Sequence, residues 1–171
     1  STIQTGNLHV DNVLTIDGGF DWNNGSITGT GELLLNGSAN ITVGTSSVLD
    51  VDLTILGNAD LLGSAATLNG LGQIKNHGTL NIYDTPTVDL PVHNFGDGNL
   101  TIQSSGAAST VTLSQGLVND GTVFVDNDSG AVPFLTTLDL ASTTLENNGD
   151  LYFTNTANRV DVQVAGAGVG T

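Results

Sequence analysis

The chain has 171 residues, enough for one domain with a buried core, and 38% of them are hydrophobic. Its 17 acidic residues face only two basic ones, a net charge of −15, so we expect no nucleic-acid partner and no anionic membrane surface. Cysteine is absent, which excludes a disulfide framework. No run of about 18 apolar residues occurs, so we expect no membrane insertion. The chain starts at Ser1 rather than Met, which suggests a processed or excised piece.

Glycine is abundant, with 23 residues, while Asn is frequent and helix-forming Glu, Lys and Met are scarce or absent. Gly and Asn tolerate the positive φ that tight turns require, so this composition favours an all-β protein of short strands. Chains that are poor in Lys and rich in Asn, Thr and Gly are common among exported prokaryotic surface proteins. We therefore expect a secreted, extracellular or cell-surface location.

A short unit recurs along the chain: an Asn-rich turn, a glycine, and then apolar residues at alternating positions. Its copies occupy residues 6–10, 24–28, 76–82, 98–102, 119–125 and 147–153. The repeat is cleanest from Gly78 to Gly98, about 20 residues, and the glycine spacing increases over the next two steps, to Gly121 and then to Gly149. One such unit cannot bury its own apolar face, whereas stacked units form a continuous core.

The repeat predicts one β-repeat domain over residues 1–171, a parallel β-solenoid with coils of about 20 residues. The repeats are clearest at 6–102 and looser at 103–164, where insertions at 104–109 and 126–137 break the period; a Gly/Ala tail follows at 165–171. In such a stack, Asn at equivalent turn positions would form side-chain amide ladders. An antiparallel β-sandwich or jelly roll is the alternative, because it also places turns between short strands.

The most distinctive segment is residues 19–33, GFDWNNGSITGTGEL, in which Phe20 and Trp22 precede three glycines at 25, 29 and 31. It resembles a repeat, F-x-W-x-x-G-x-I-x-G-x-G-x-L, of very large secreted bacterial surface proteins that are similar to autotransporter passengers and filamentous haemagglutinins. The resemblance covers residues 19–82 and implies a parallel β-helix that serves adhesion, matrix formation or surface display. The Trp unit occurs only once, which departs from the family's pattern.

Two functions follow as hypotheses. The first is a structural or adhesive module of a surface protein, matrix or fibre, whose partners are copies of itself or neighbouring repeats of a longer chain. The second is a carbohydrate-binding or polysaccharide-processing β-helix that recognises cell-surface carbohydrate. Lys75 and Arg159 are the only Lys and Arg residues, so an acidic polysaccharide would be repelled. We expect no enzyme activity, because no nucleophile, metalloprotease or phosphate-loop motif is present.

Asp126 and Asp128 lie in the sequence DNDSG, which has the D-x-D-x-G shape of a calcium loop. It lacks the later bidentate Glu of an EF-hand, and an Asx-rich turn has the same composition. Calcium is the one cofactor that the sequence suggests. The three histidines, His9, His77 and His93, lack metal-ligand spacing, so we expect solvated side chains.

Five asparagines stand in glycosylation sequons and are acceptors only if the host glycosylates exported proteins. These asparagines are Asn24, Asn36, Asn40, Asn99 and Asn127.

Overall fold

The computed structural model describes residues 2–45, 47–104, 108–127, 136–141, 143–155 and 162–165. These ranges hold strands and turns without a helix, so none of their segments forms a helix that could cross a membrane. The strands in chain order are β1 (Thr2–His9), β2 (Val13–Ile16), β3 (Phe20–Thr28), β4 (Glu32–Leu35), β5 (Ser38–Thr42), β6 (Ser47–Leu49), β7 (Asp52–Ile55), β8 (Asn58–Gly63), β9 (Thr67–Asn69), β10 (Ile74–Asn76), β11 (Thr79–Asp84), β12 (Thr87–Asp89), β13 (Val92–Asn94), β14 (Asn99–Ser104), β15 (Ser109–Leu113), β16 (Leu117–Asn119), β17 (Thr122–Asn127), β18 (Thr136–Asp139), β19 (Leu145–Asn147), β20 (Asp150–Asn155) and β21 (Val162–Ala165).

Every third strand returns to the same face of the molecule. Strands β5, β8, β11, β14, β17 and β20 form face 1, and β6, β9, β12, β15, β18 and β21 form face 2. Strand β3 belongs to both faces, because its first half pairs with β5 and its second half with β6. Strands β2, β4, β7, β10, β13, β16 and β19 form face 3. All of these pairings are parallel, so the protein is a three-sided parallel β-solenoid and not an antiparallel sandwich.

The register between neighbouring coils gives the length of each coil. On face 1, Asn58 pairs with Thr79 and Thr79 with Asn99, so these two coils are almost equal in length. The next partners in the same column are Thr122 and then Asp150, so the last two coils are progressively longer. This register confirms the predicted coils of about 20 residues. The stack also continues through the region where the sequence period drifts.

Extra residues enter the longer coils mainly at one place, the corner between face 1 and face 2. Strand β14 ends at Ser104 and β15 begins at Ser109, while β17 ends at Asn127 and β18 begins at Thr136. The flanking strands still pair in register, β14 with β17 and β15 with β18. The insertions therefore lengthen corners and leave the sheets intact. The predicted Gly/Ala tail, 165–171, lies outside the described residues except for Ala165.

Alternation within each strand places one set of side chains inside the solenoid. Leu80 and Ile82 of β11 are fully buried, and their register partners on β14, Leu100 and Ile102, are buried as well. Such columns of aliphatic residues run from coil to coil and form one continuous core. Trp22, from the distinctive sequence segment, is only 1% exposed and fills the core of an early coil. Burial of this apolar surface supplies the main stabilisation of the stack.

Candidate functional site

The corner between face 3 and face 1 is formed by an Asn-x-Gly unit in four coils, at residues 76–78, 94–96, 119–121 and 147–149. The first residue of the unit is the last residue of a face 3 strand, and its side chain points into the solenoid. Asn76 Nδ2 donates to Asn94 Oδ1 at 2.7 Å, and Asn94 Nδ2 donates to Asn119 Oδ1 at 2.8 Å. The ladder ends with Asn119 Nδ2 donating to Asn147 Oδ1 at 2.6 Å. These bonds confirm that an amide ladder forms, but Asn76, Asn94 and Asn119 are fully buried rather than at the surface.

The same ladder satisfies backbone groups at the corner. Asn94 Nδ2 also lies 3.0 Å from the Thr122 carbonyl, and Asn119 Nδ2 lies 3.1 Å from the Asp150 carbonyl. Below Asn76 the column becomes aliphatic, since Ile55 is its register partner. Among the described residues, Asn76 Oδ1 accordingly has no hydrogen-bond partner and marks the junction between the aliphatic and amide parts of the column.

A glycine at this corner is required by the close approach of successive coils. A Cβ on Gly78 would lie 2.1 Å from the Gly57 carbonyl oxygen, and a Cβ on Gly57 would lie 2.2 Å from the Gly37 carbonyl oxygen. A Cβ on Gly149 would lie 2.1 Å from the Gly121 oxygen in the same way. Only glycine lets the backbone of one coil pass this close to the backbone of the next.

The middle residue of the unit points outward, and in two coils it is part of a stack of aromatic rings. The ring of Phe95 lies between those of His77 and His93, with centroid distances of 4.1 and 3.7 Å. His77 Nδ1 lies 2.9 Å from Asp97 Oδ1, and His93 Nε2 lies 2.6 Å from Asp120 Oδ2. These two histidine side chains are 30% and 22% exposed, so they keep partial contact with solvent while each also contacts a carboxylate of the next coil. Together the rings and carboxylates connect three successive coils.

Face 3 also carries a cluster around Lys75. Lys75 Nζ lies 2.6 Å from Asp52 Oδ2 and 3.9 Å from Glu32 Oε1, and Thr54 Oγ1 donates to Glu32. The hydrogen bond to Asp52 raises the pKa of Lys75 above its usual value, against the opposing effect of burial. This geometry is an ion pair that joins strands of successive coils.

The calcium prediction rests on residues that the structure describes only in part. Asp126 lies near the end of β17 and is half-buried, whereas Asp128 lies outside the described residues. Within the described ranges, no group of three or more His, Asp or Glu side chains is arranged to hold a metal ion.

The five sequon asparagines lie in different settings. Asn36, Asn40 and Asn99 are exposed, and Asn24 is half-buried, while the side chain of Asn127 is outside the described part of the chain. The exposed amides of Asn36 and Asn40 donate to carboxylates of the preceding coil, at 2.6 and 2.7 Å. Asn24 Oδ1 accepts a hydrogen bond from a serine hydroxyl at 3.3 Å. Asn99 is an exposed sequon on face 1 with a threonine in register on each side.

The first coil contains an apolar hollow that opens to solvent. It has a volume of about 420 Å³, and its apolar lining comes from Leu8, Leu14, Ile16 and Phe20. Within the described residues, β2 pairs with β4 alone and β1 with β3 alone, so each strand has one free edge. Val13 and Leu14 are 61% and 36% exposed on this coil. An apolar surface bounded by unpaired strand edges is a template for pairing with a further β-strand.

Comparisons with known proteins give no assignment. No protein-family model matches the chain, and neither a curated protein nor a solved structure is significantly similar to it.

Proposed function

We propose that the protein is a structural or adhesive module of an extracellular surface protein, matrix or fibre, in which coils of adjoining units stack end to end. The observation that carries the proposal is the first coil, where the free edges of β1 and β2 surround an apolar hollow of about 420 Å³. A second copy of this chain or a further repeat of a longer chain is the partner, because either one presents a complementary parallel edge.

The contacts between coils in the described residues support a structural role over catalysis. The recurring geometry of the corners serves stacking, through the amide ladder and the close contacts between glycines and carbonyls. Lys75, one of the two cations that an enzyme for acidic sugars would use, is held by Asp52. The resemblance of residues 19–82 to repeats of bacterial surface proteins agrees with this role and with a secreted location.

Sedimentation over a wide concentration range tests the proposal. We expect the purified chain to form larger species as its concentration rises, and Leu14→Asp to prevent this by placing a charge in the apolar hollow. Leu71→Asp is the matched control, since Leu71 is 90% exposed at a different corner. Far-UV circular dichroism verifies that both variants are folded. A wild-type chain that stays monomeric at the highest concentration contradicts the proposal.

A neutral carbohydrate ligand is the second candidate, and one contact favours it. Phe124 and Tyr152 stack on the outer side of face 1 with ring centroids 5.2 Å apart, and Tyr152 is 45% exposed. Aromatic rings beside hydroxyl and amide groups bind sugars, and the charge of −15 disfavours anionic ones. Screening neutral oligosaccharides against the wild type and Tyr152→Ala tests this candidate, which is wrong if no binding depends on Tyr152.

Calcium binding at Asp126 and Asp128 stays a prediction. A thermal melt with and without calcium tests it, because a ligand that binds only the folded state raises the midpoint. An unchanged thermal midpoint would show that calcium does not bind the folded protein.

A further inference from the structure

Four asparagines precede a glycine in this chain: Asn24, Asn36, Asn69 and Asn148. In an Asn-Gly pair the glycine nitrogen can attack the side-chain carbonyl carbon of the asparagine, since no Cβ obstructs the approach. A bond forms between the glycine N and Asn Cγ, the Cγ–Nδ2 bond breaks, and the amide nitrogen leaves as ammonia with the proton from the glycine N. Water then opens the cyclic imide to aspartate or isoaspartate. No enzyme, metal or oxidant is needed.

The attack requires that the glycine nitrogen rotate toward the side chain, so strand pairing and hydrogen bonds at that position suppress it. Asn24 and Gly25 lie within β3, where Gly25 is in register with Gly6 of β1. Asn69 is the last residue of β9 and is in register with a residue of β6 on one side and of β12 on the other. Strand pairing therefore holds the glycine of the first pair and the asparagine of the second, whereas Gly70 follows the end of β9.

The other two pairs lie outside strands, at equivalent corners between face 3 and face 1. They differ in the state of the glycine nitrogen. Gly149 N–H donates to the Asn119 carbonyl at 3.0 Å, and the preceding Asn148 N–H donates to the same carbonyl at 2.7 Å. Asn36 N–H donates to the carbonyl at the end of β2 at 2.9 Å, but Gly37 N–H has no backbone hydrogen bond to any described residue. Asn36 and Asn148 are both exposed to the water that the reaction consumes, so the glycine nitrogen is what distinguishes the two pairs.

We propose that Asn36 is a site of spontaneous, non-enzymatic deamidation in the folded protein, and that Asn148, at the equivalent corner, is protected. This inference goes beyond the proposed function and does not depend on it.

The modification changes a contact between coils. Asn36 Nδ2 donates to Asp17 Oδ1 at 2.6 Å, and this bond joins the corner of one coil to that of the next. Deamidation replaces the donor by a second carboxylate, and two carboxylates at hydrogen-bond distance cannot both be ionised without repulsion. Isoaspartate, in addition, lengthens the main chain where a Cβ on Gly37 would already lie 2.3 Å from the Gly18 oxygen. The first coils are therefore loosened as the protein ages.

Peptide mapping by mass spectrometry tests the site. The purified protein is incubated at mildly alkaline pH, once folded and once in concentrated urea, and the deamidated fraction of each Asn-Gly peptide is followed with time. In the folded protein we expect Asn36 to react several-fold faster than Asn148. In urea this preference should largely disappear. A folded-state rate at Asn36 no greater than that at Asn148 overturns the proposal, as does a preference that persists unchanged in urea.

Three variants test the consequence independently of the rate. Asn36→Asp should lower the thermal midpoint more than Asn99→Asp, because Asn99 is exposed but its register partners are Thr79 and Thr122 rather than a carboxylate. The double variant Asp17→Asn with Asn36→Asp should restore the midpoint by exchanging donor and acceptor. Two results would contradict this consequence: equal thermal midpoints for Asn36→Asp and Asn99→Asp, or no recovery in the double variant. Either one would show that loss of the hydrogen bond between Asn36 and Asp17 does not destabilise the protein.

Discussion

Asn94 donates a hydrogen bond from its side-chain amide to Oδ1 of Asn119, 2.8 Å away, and both side chains are fully buried in the solenoid. The two residues are partners in the register between β13 and β16, so they occupy the same corner of successive coils. Because buried amides are costly unless they are bonded, this contact fixes which residue of one coil lies over which residue of the next.

The ladder predicts a gradient of mutational effects. Asn94→Leu removes the partner of Asn76, the partner of Asn119 and the donor to the Thr122 carbonyl. We expect the free energy of unfolding to fall by about 3 kcal/mol, since each buried group left unpaired costs about 1–3 kcal/mol. Asn76→Leu should cost less, because Asn76 Oδ1 has no partner among the described residues and Ile55 lies next to it in the column. Urea denaturation measures both, and a larger loss for Asn76→Leu contradicts the gradient.

The glycine contacts predict position-specific intolerance to alanine. Gly78→Ala places a methyl group 2.1 Å from the Gly57 oxygen, so the coils must separate at that corner. We expect a loss of about 3 kcal/mol, at the upper end for overpacking. Gly19→Ala is the control, because nothing lies within 4 Å of its added Cβ. Thermal or urea unfolding compares the stabilities of Gly78→Ala and Gly19→Ala. Equal losses would mean that the close contact with the carbonyl oxygen is not the reason for glycine at position 78.

The stacking of Phe95 between His77 and His93, on the outside of the solenoid, should contribute to the free energy of unfolding. Phe95→Ala removes both ring contacts, and we expect a loss of about 1–2 kcal/mol because aromatic pairs contribute about 0.5–1.5 kcal/mol each beyond burial. Phe95→Leu should recover part of the loss by covering the same surface without stacking. Chemical denaturation measures the free energy of unfolding of both variants. If Phe95→Ala leaves it unchanged, the ring stack does not stabilise the fold.

Carboxylates that accept hydrogen bonds across coils predict a loss of stability in acid. Ser114, followed by Gln115, donates to Asp89 and lowers the pKa of its carboxyl. A group whose folded-state pKa is lowered stabilises the fold above its unfolded pKa, and the contribution disappears as the pH falls through the folded value. The stability difference between the wild type and Ser114→Ala should therefore be constant near neutrality and narrow below about pH 4.

Comparing the two proteins at each pH cancels the general relief of repulsion that protonation gives a chain of charge −15. Thermal midpoints over the pH series measure the difference. A difference in thermal midpoint between the wild type and Ser114→Ala that stays the same down to strongly acidic pH would contradict the prediction. Asp120 provides a second case, since Asn148 and then His93 lower the pKa of its carboxyl.

The sequence was sufficient to predict the solenoid, because the Asn-x-Gly unit and the alternating apolar residues report local turn and strand geometry. It did not reveal that Asn76, Asn94 and Asn119 are buried, since asparagine is common in exposed turns as well. Their position before x-Gly, at the end of a strand, is the signal that distinguishes them. The stack around Phe95 depends on register between coils whose lengths vary, so the spacing of the histidines alone did not indicate it. The Lys75 cluster was missed for the same reason.

Fibre diffraction from concentrated, aligned protein tests most directly whether the module acts by end-to-end stacking of parallel coils. In such an assembly the strands run across the fibre, and neighbouring strands repeat along its axis at about 4.8 Å. End-to-end stacking predicts fibres with a reflection near this spacing along the fibre axis. The reflection should be lost in Leu14→Asp and kept in Leu71→Asp. Isolated particles under all conditions, or the same spacing perpendicular to the axis, would contradict it.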